Sequence, residues 1–225
     1  MKTACNLCQF KSIAAQKLNG TELETLSVNC LSVKFKRGDS IIKQGMYSTN
    51  IAFLKRGLAK IHITGPYHEQ IVKIVTSSRY LGLPTTFGNK VNQYSITAID
   101  ESEVCFIDIS TFRMLLRTNQ DFNDQILIEL CQSELEAYNR CANRTQKQVR
   151  GKIADVLLDF SNNIYHSETF PFFLTQEEIG NMVDASRESV SRVMTEFAKD
   201  GIIKTSSKQI EIINHKMLTL ISTNG

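Results

Sequence analysis

The segment at 175–202, TQEEIGNMVDASRESVSRVMTEFAKDGI, limits what this chain can become more than any other. Thr175 followed three residues later by Glu178 is a capping box, so a helix opens there. Asp184-Ala185 interrupts that helix, and Ser186 caps a second one that continues to Lys199 and closes at Gly201. GIIKTSSKQIEII then alternates like a β-hairpin. Helix, tight turn, capped helix and hairpin together predict a winged helix-turn-helix. The first turn and a half of the second helix crowds together Arg187, Glu188, Arg192 and three serines. Serine is only a middling helix former, and arginine's planar fork suits recognition better than solvation.

In a winged helix-turn-helix the second helix lies in the major groove and its first residues meet base edges. Arg187 and Arg192 match the two acceptors of guanine, Glu188 accepts from the cytosine amino group, and Ser191 is short enough to approach the backbone or a thymine. Ser186 and Ser189 share the same turn, and Lys208 in the wing is the candidate for a phosphate contact. The expected partner is double-stranded DNA. Net charge is only +3, and from Arg144 onward ten Lys/Arg face ten Asp/Glu. A general basic tail is absent, so nucleic-acid binding has to come from a local arrangement of charge.

The chain has 225 residues, enough for two modest domains with separate cores. From Val33 to Asp108 short β-rich pieces alternate with turn signals, including a hairpin expected at Arg56-Gly57 with Ile51, Phe53, Leu58, Ile61 and Ile63 facing inward. Strands this short and regular predict a sandwich or small barrel. The pattern becomes helical at Ser110. DFNDQILIELCQSELEAYNRCANR is a long helix with Ile126, Leu130 and Ala137 at threes and fours, expected to meet a symmetric partner helix in a homodimer. QVRGKIADVLLDFSNNI follows, with Ile153, Val156, Leu157 and Phe160 inward. The expected division is 1–109, 110–145 and 146–225. No apolar run approaches the ~18 residues of a membrane span, and the N-terminus has no continuous hydrophobic stretch. Both point to the cytoplasm, where the six cysteines would be reduced.

The order of these pieces resembles the Crp/Fnr family of transcription regulators over nearly the whole chain. IGNMVDASRESVSRVMTEFAKDGII is similar to the family's reading-helix signature, and RGDSIIKQG at 37–45 resembles the first turn of its β-roll. The resemblance implies an α+β chain: an N-terminal jelly-roll-like β-roll sensor, a long dimerisation helix and a C-terminal winged helix-turn-helix. It implies a small-molecule effector of unknown identity and RNA polymerase as a further partner. It also places Glu188 and Arg192 on a shared G·C step of an inverted repeat with a TGA-like core. Arg187 resembles the cAMP-receptor branch, and Ser191 the oxygen-sensing branch.

The implied effector pocket comprises Gly82, Leu83, Pro84, Tyr94, Ser95, Ala137 and Tyr138. Leu83 stands where the cAMP-receptor branch has the Glu that holds the ribose, and Tyr94 where it has the Arg that pairs the cyclic phosphate. Ala137 and Tyr138 replace its adenine-binding hydroxyls, so only Gly82 and Ser95 survive. A buried phosphate without its cation is strongly disfavoured. The cysteines open an alternative, a metal or redox sensor acting through Cys5, Cys8 and Cys105 with an iron–sulfur cluster or zinc. A third N-terminal cysteine is missing from that pattern, and Cys30 substitutes only if the chain folds it back. Cys131 and Cys141 read as packing residues, and the four histidines are scattered. No cofactor is therefore expected, and no constellation of catalytic groups is present, which predicts a non-enzyme.

Overall fold

The computed structural model describes residues 5–225, so the first four residues of the expected 1–109 segment lie outside it. The chain divides into two compact units between Leu135 and Glu136.

The first unit carries strands β1 (Cys30–Phe35), β2 (Ser40–Ile42), β3 (Asn50–Arg56), β4 (Ala59–Thr64), β5 (Glu69–Val75), β6 (Arg79–Leu81), β7 (Ser95–Ala98) and β8 (Ser102–Asp108). They form two antiparallel sheets, ordered β1-β8-β3-β6 and β2-β7-β4-β5. This is the expected β-roll. The expected hairpin at Arg56-Gly57 is a crossover instead, because β3 and β4 belong to different sheets. Gly57 makes the passage with φ +101°, and a Cβ there would run into Glu101 and Ser102.

Strand β3 explains the layering. Its five central residues are all buried, because alternate side chains face two different cores. Ala52 and Leu54 join Ile41, Ala59, Val75, Ile96 and Val104 between the sheets. Ile51 and Phe53 point the other way, onto α1 (Gly20–Val28), α3 (Ile109–Thr118) and the start of α4 (Gln120–Gln146). Leu58 is buried as expected, but Ile63 is 39% exposed. The sequence marks neither α1 nor the short α2 (Leu83–Gly88) as a helix.

Two of the three residues expected in the dimer seam on the long helix pack inside the first unit. Ile126 is buried and Leu130 packs partly buried against the second core, beside Phe112, Leu115 and Phe122. Both residues are therefore used within their own unit, and Ala137 lies off that core on an exposed stretch of the helix. A second apolar stripe runs along α4 at alternating threes and fours: Ile128, Cys131, Leu135, Tyr138 and Ala142. All five are exposed.

The second unit continues with α5 (Val149–Asp159), a turn of π-helix at Phe160–Tyr165, β9 (Thr169–Pro171), α6 (Gln176–Val183), α7 (Arg187–Lys199), β10 (Ile203–Ser206), β11 (Gln209–Ile212) and α8 (His215–Asn224). Strands β10, β11 and β9 pair in that order to form the wing. Ile153, Leu157 and Phe160 face the core with Ile179, Val190, Val193 and Phe197, all buried, whereas Val156 is half-buried. The sequence did not mark α8, which packs on α5. No helix among the described residues is long and apolar enough to cross a membrane.

Candidate functional site

Local chemistry sets the position of α7. Thr175 accepts from the Glu178 amide at 3.1 Å while Glu178 accepts from the Thr175 amide at 2.9 Å, closing the capping box. Asp184 turns the chain with φ 57°. The Ala185 amide donates to the Gly180 carbonyl at 3.1 Å, and a Cβ at position 180 would collide with the Ala185 oxygen. Only glycine permits this close turn. Ser186 then caps α7 by accepting from the Ser189 amide at 3.2 Å. Its own hydroxyl donates to the Ser189 hydroxyl at 3.2 Å. These two serines, expected among the DNA contacts, are thus engaged with each other at the helix start.

Arg187, Glu188, Ser191 and Arg192 line one open depression with Thr195 and Glu196. Arg187, Glu188 and Arg192 are exposed, and neither arginine is held in an ion pair among the described residues. Its own backbone amide, and then the neighbouring Ser186 hydroxyl, holds the Glu188 carboxyl below the usual range and keeps it an acceptor. Lys208 is exposed in the wing turn, where its carbonyl accepts from Phe172 at 2.9 Å.

Arg150 on α5 has a different task, one that sequence spacing did not reveal. Its guanidinium bridges Glu196 at 2.9 Å and Asp200 at 3.2 Å, and lies 5.0 Å over the Phe197 ring. It braces the far half of α7 through three partners, leaving the first half exposed.

In the first unit, Gly82 (φ +81°) precedes α2, which opens with Leu83 and Pro84, and Tyr94 lies near the Gly82 backbone. The polar groups here are satisfied from within. The Tyr94 hydroxyl is hydrogen-bonded to Thr85 and to the Gly82 backbone, and burial raises its pKa. Thr85 donates to the Gly82 carbonyl at 2.9 Å and is 3.2 Å from the Asn92 side-chain oxygen. Ser95 accepts from the Gln44 amide at 3.0 Å, and Ser48 bonds Thr86. Leu83 is buried. Ala137 and Tyr138 are exposed and fall in the second unit.

The cysteines depart from the expected set. Cys5, Cys30 and Cys105 are half-buried and pack against the same core of the first unit, whereas Cys8 does not join that packing. The Cys105 and Cys5 thiols near it, and then burial, raise the pKa of Cys30 and keep it protonated, and Cys30 in turn lowers the pKa of Cys5 and of Cys105. Lys55, paired with Glu103 at 2.9 Å, adds positive charge near both. Among the described residues, no group of three or more His, Cys, Asp or Glu side chains is arranged to hold a metal ion. The Cys5, Cys8, Cys105 set thus does not fit an iron–sulfur cluster or zinc as it stands. Cys131 and Cys141 are exposed rather than packed. His62 is buried against Glu69 and Thr97.

Residues 151–221 match the Crp-like helix-turn-helix domain, and residues 32–119 match the cyclic nucleotide-binding domain. The chain is 25% identical over 208 residues to a CRP-like cAMP-activated global transcriptional regulator of Mycobacterium tuberculosis, covering 90% of this chain and 93% of that protein. It is 23% identical over 228 residues to electron transport regulator A of Shewanella oneidensis, covering 98% and 91%. Among solved structures, FixK2 from Bradyrhizobium japonicum superposes with a TM-score of 0.79 at 14% identity, covering 87% of this chain and 98% of that one. A CRP/FNR-family transcriptional regulator from Thermus thermophilus, TTHA1359, does so with a TM-score of 0.68 at 21% identity, covering 86% and 99%.

Proposed function

We propose, for a chain that belongs to the Crp/Fnr family of DNA-binding transcription regulators, that it acts as a cytoplasmic homodimer reading an inverted repeat through α7. The observation that carries this reading is the face of exposed Arg187, Glu188 and Arg192, with half-buried Ser191, at the start of a capped, braced helix. Charged and polar groups are stably left without ion pairs only where solvent or a polar partner satisfies them, and the major groove offers that partner. Glu188 and Arg192 read a G·C step within a TGA-like core. Arg187 adds a guanine preference, and Lys208 contacts phosphate. RNA polymerase is the further protein partner, and the chain is not an enzyme.

The homodimer forms through Ile128, Cys131, Leu135, Tyr138 and Ala142, whose spacing is that of a coiled-coil seam. Half-sites then lie about one helical turn apart, centre to centre. Leu135→Asp places an unpaired charge in this seam, and light scattering should find it monomeric where the wild type is dimeric. Leu130→Asp, in contrast, strikes the unit's own core and should unfold it. The sensor does not take cyclic nucleotides. Tyr94 and Leu83 occupy the place of the charged contacts, and the Gly82 backbone is already bonded. Calorimetry should show no micromolar binding of cAMP or cGMP.

Selection from random duplexes tests the whole reading. An inverted repeat should emerge, and its inner guanine preference should relax for Arg192→Ala. Selection of no inverted repeat, or of the same one by both proteins, would overturn it.

A further inference from the structure

Two side chains on α5 hold different neighbours from different sides of the helix. Arg150 grips the far half of α7 through Glu196 and Asp200. Asp155, five residues on, lies about 140° around the helix from it and grips the chain that leads into α5. Lys147, the first residue after α4, donates to both of its carboxylate oxygens, at 2.8 and 2.7 Å. The Ser222 hydroxyl of α8 donates to one of the same oxygens. One carboxylate thus gathers the end of α4, α5 and α8, all within the second unit. We infer that Asp155 is a positioning residue for DNA recognition. It fixes α5, and α7 with it, on the end of α4, and so sets the half-site separation that the dimer accepts.

The backbone at this junction contains a pivot. Helical bonding runs into Lys147, whose amide donates to the Asn143 carbonyl at 3.1 Å. It resumes where the Lys152 amide donates to the Gln148 carbonyl at 3.0 Å. Between them Gln148 is extended, with φ −74° and ψ 165°, and its side chain makes no cap. Rotation about that residue swings α5 against α4, as hinges at element ends do. Lys147 precedes the pivot and Asp155 follows it, so their salt bridge closes across it.

An isolated surface pair would hold such a pivot weakly. This pair is partly withdrawn from water, with side chains 18% and 27% exposed, and it carries a further donor from α8. Several charge-assisted bonds on one carboxylate fix direction as well as distance. The core does not depend on them: α5 supplies buried Ile153, Ala154 and Leu157, whereas Asp155 is only half-buried. Losing the tie should therefore loosen direction more than it unfolds the unit.

Small changes of direction matter at the reading end. With 13 residues, α7 spans about 20 Å, and its first turn lies at the end away from Arg150. A swing of about 10° over that length moves the first turn by about 3.4 Å, one base-pair step. A closed tie selects one separation, and an open pivot admits its neighbours. The inference rests on the proposed dimer and inverted repeat, but it concerns spacing rather than base identity.

Selection from random duplexes with the full chain reads spacing and sequence separately. Wild type should return one half-site separation. Asp155→Asn and Lys147→Met should return the same half-sites, with separations spread at least one base pair to either side. In anisotropy titrations, their preference for the wild-type separation over one base pair more should fall roughly 10-fold, within the usual range of coupling between distant sites. Lys147→Arg keeps two donors for Asp155 and should restore the single separation. The double substitution should broaden it no further than either single change. If Asp155→Asn melts early, the two Lys147 variants decide the question, because Lys147 lies outside both helices. Broadening that Lys147→Arg does not repair would mean a general loosening and would overturn the inference. An equally sharp separation in every variant, or altered half-site bases, would do the same. Selection of no inverted repeat by the wild type would remove this inference together with the DNA reading beneath it.

Discussion

The start of α7 and the turn around Gly82 are built from similar parts and put them to opposite use. Both open a helix, and both gather short polar side chains near its first turn. On α7 the arginines and glutamate are exposed and take no ion-pair partner among the described residues. Around Gly82, the Tyr94, Thr85, Asn92 and Ser95 polar groups bond to one another or to backbone. Hydrogen-bonding capacity left open is available to a partner, whereas capacity closed internally contributes to the stability of the fold. A family-level match to a cyclic nucleotide-binding domain therefore says less about ligand than the bonding state of its turn.

The sharpest break between the two would come from Arg192→Ala. Each half-site should lose about 1–3 kcal/mol of binding, doubled in a two-fold dimer, while the thermal midpoint stays unchanged. Fluorescence anisotropy and calorimetric melting read both. A fall in melting temperature without loss of affinity would put Arg192 on the structural side. Thr85→Val should do the reverse, lowering stability by about 1–3 kcal/mol because it leaves buried partners unsatisfied. Its effect should appear in the urea midpoint rather than in the selected DNA sequence.

Glu103 offers a smaller test of the closed kind. The bond from Lys55, then that from Ser32, holds its carboxyl below the ordinary value of 4.5. A depressed folded pKa gives stabilisation that is full above the unfolded value and is lost as pH falls through the folded one. Wild type should therefore lose stability below pH 4.5 more steeply than Glu103→Gln, by about 1 kcal/mol or less for so accessible a pair. Denaturant titrations on either side of that pH measure it. The smallest effect is expected at Lys208. Lys208→Ala should weaken all duplexes alike and reduce the slope of log affinity against log salt by about one unit. A change in sequence preference would mean that the wing reads bases.

The helix-turn-helix is legible in the sequence because its instructions are local. A capping box, a left-handed Asp184, a serine cap and a closing glycine each act over four residues or fewer. The long helix is legible only as a helix. It carries two apolar stripes, Phe122-Ile126-Leu130 and Ile128-Leu135-Ala142, with the same spacing rules. Periodicity cannot tell the stripe that meets its own β-roll from the one left exposed. The hairpin expected at Gly57 failed for a related reason: alternation identifies strands but not which sheet each strand enters.

Sequence alone determined the order of the units, the two helices of the helix-turn-helix and the residue types on their outer face. Tertiary structure decided which stripe of α4 is consumed, that Tyr94 closes onto Gly82, that Arg150 braces α7, and that Cys30 rather than Cys8 packs on the same core as Cys5 and Cys105. The physical reason is range. Caps and turns are bonded between near neighbours, so composition at fixed spacing specifies them. Burial and thiol contacts depend on strands whose pairing brings Cys30 beside a residue in β8, and no periodicity in the chain encodes that meeting.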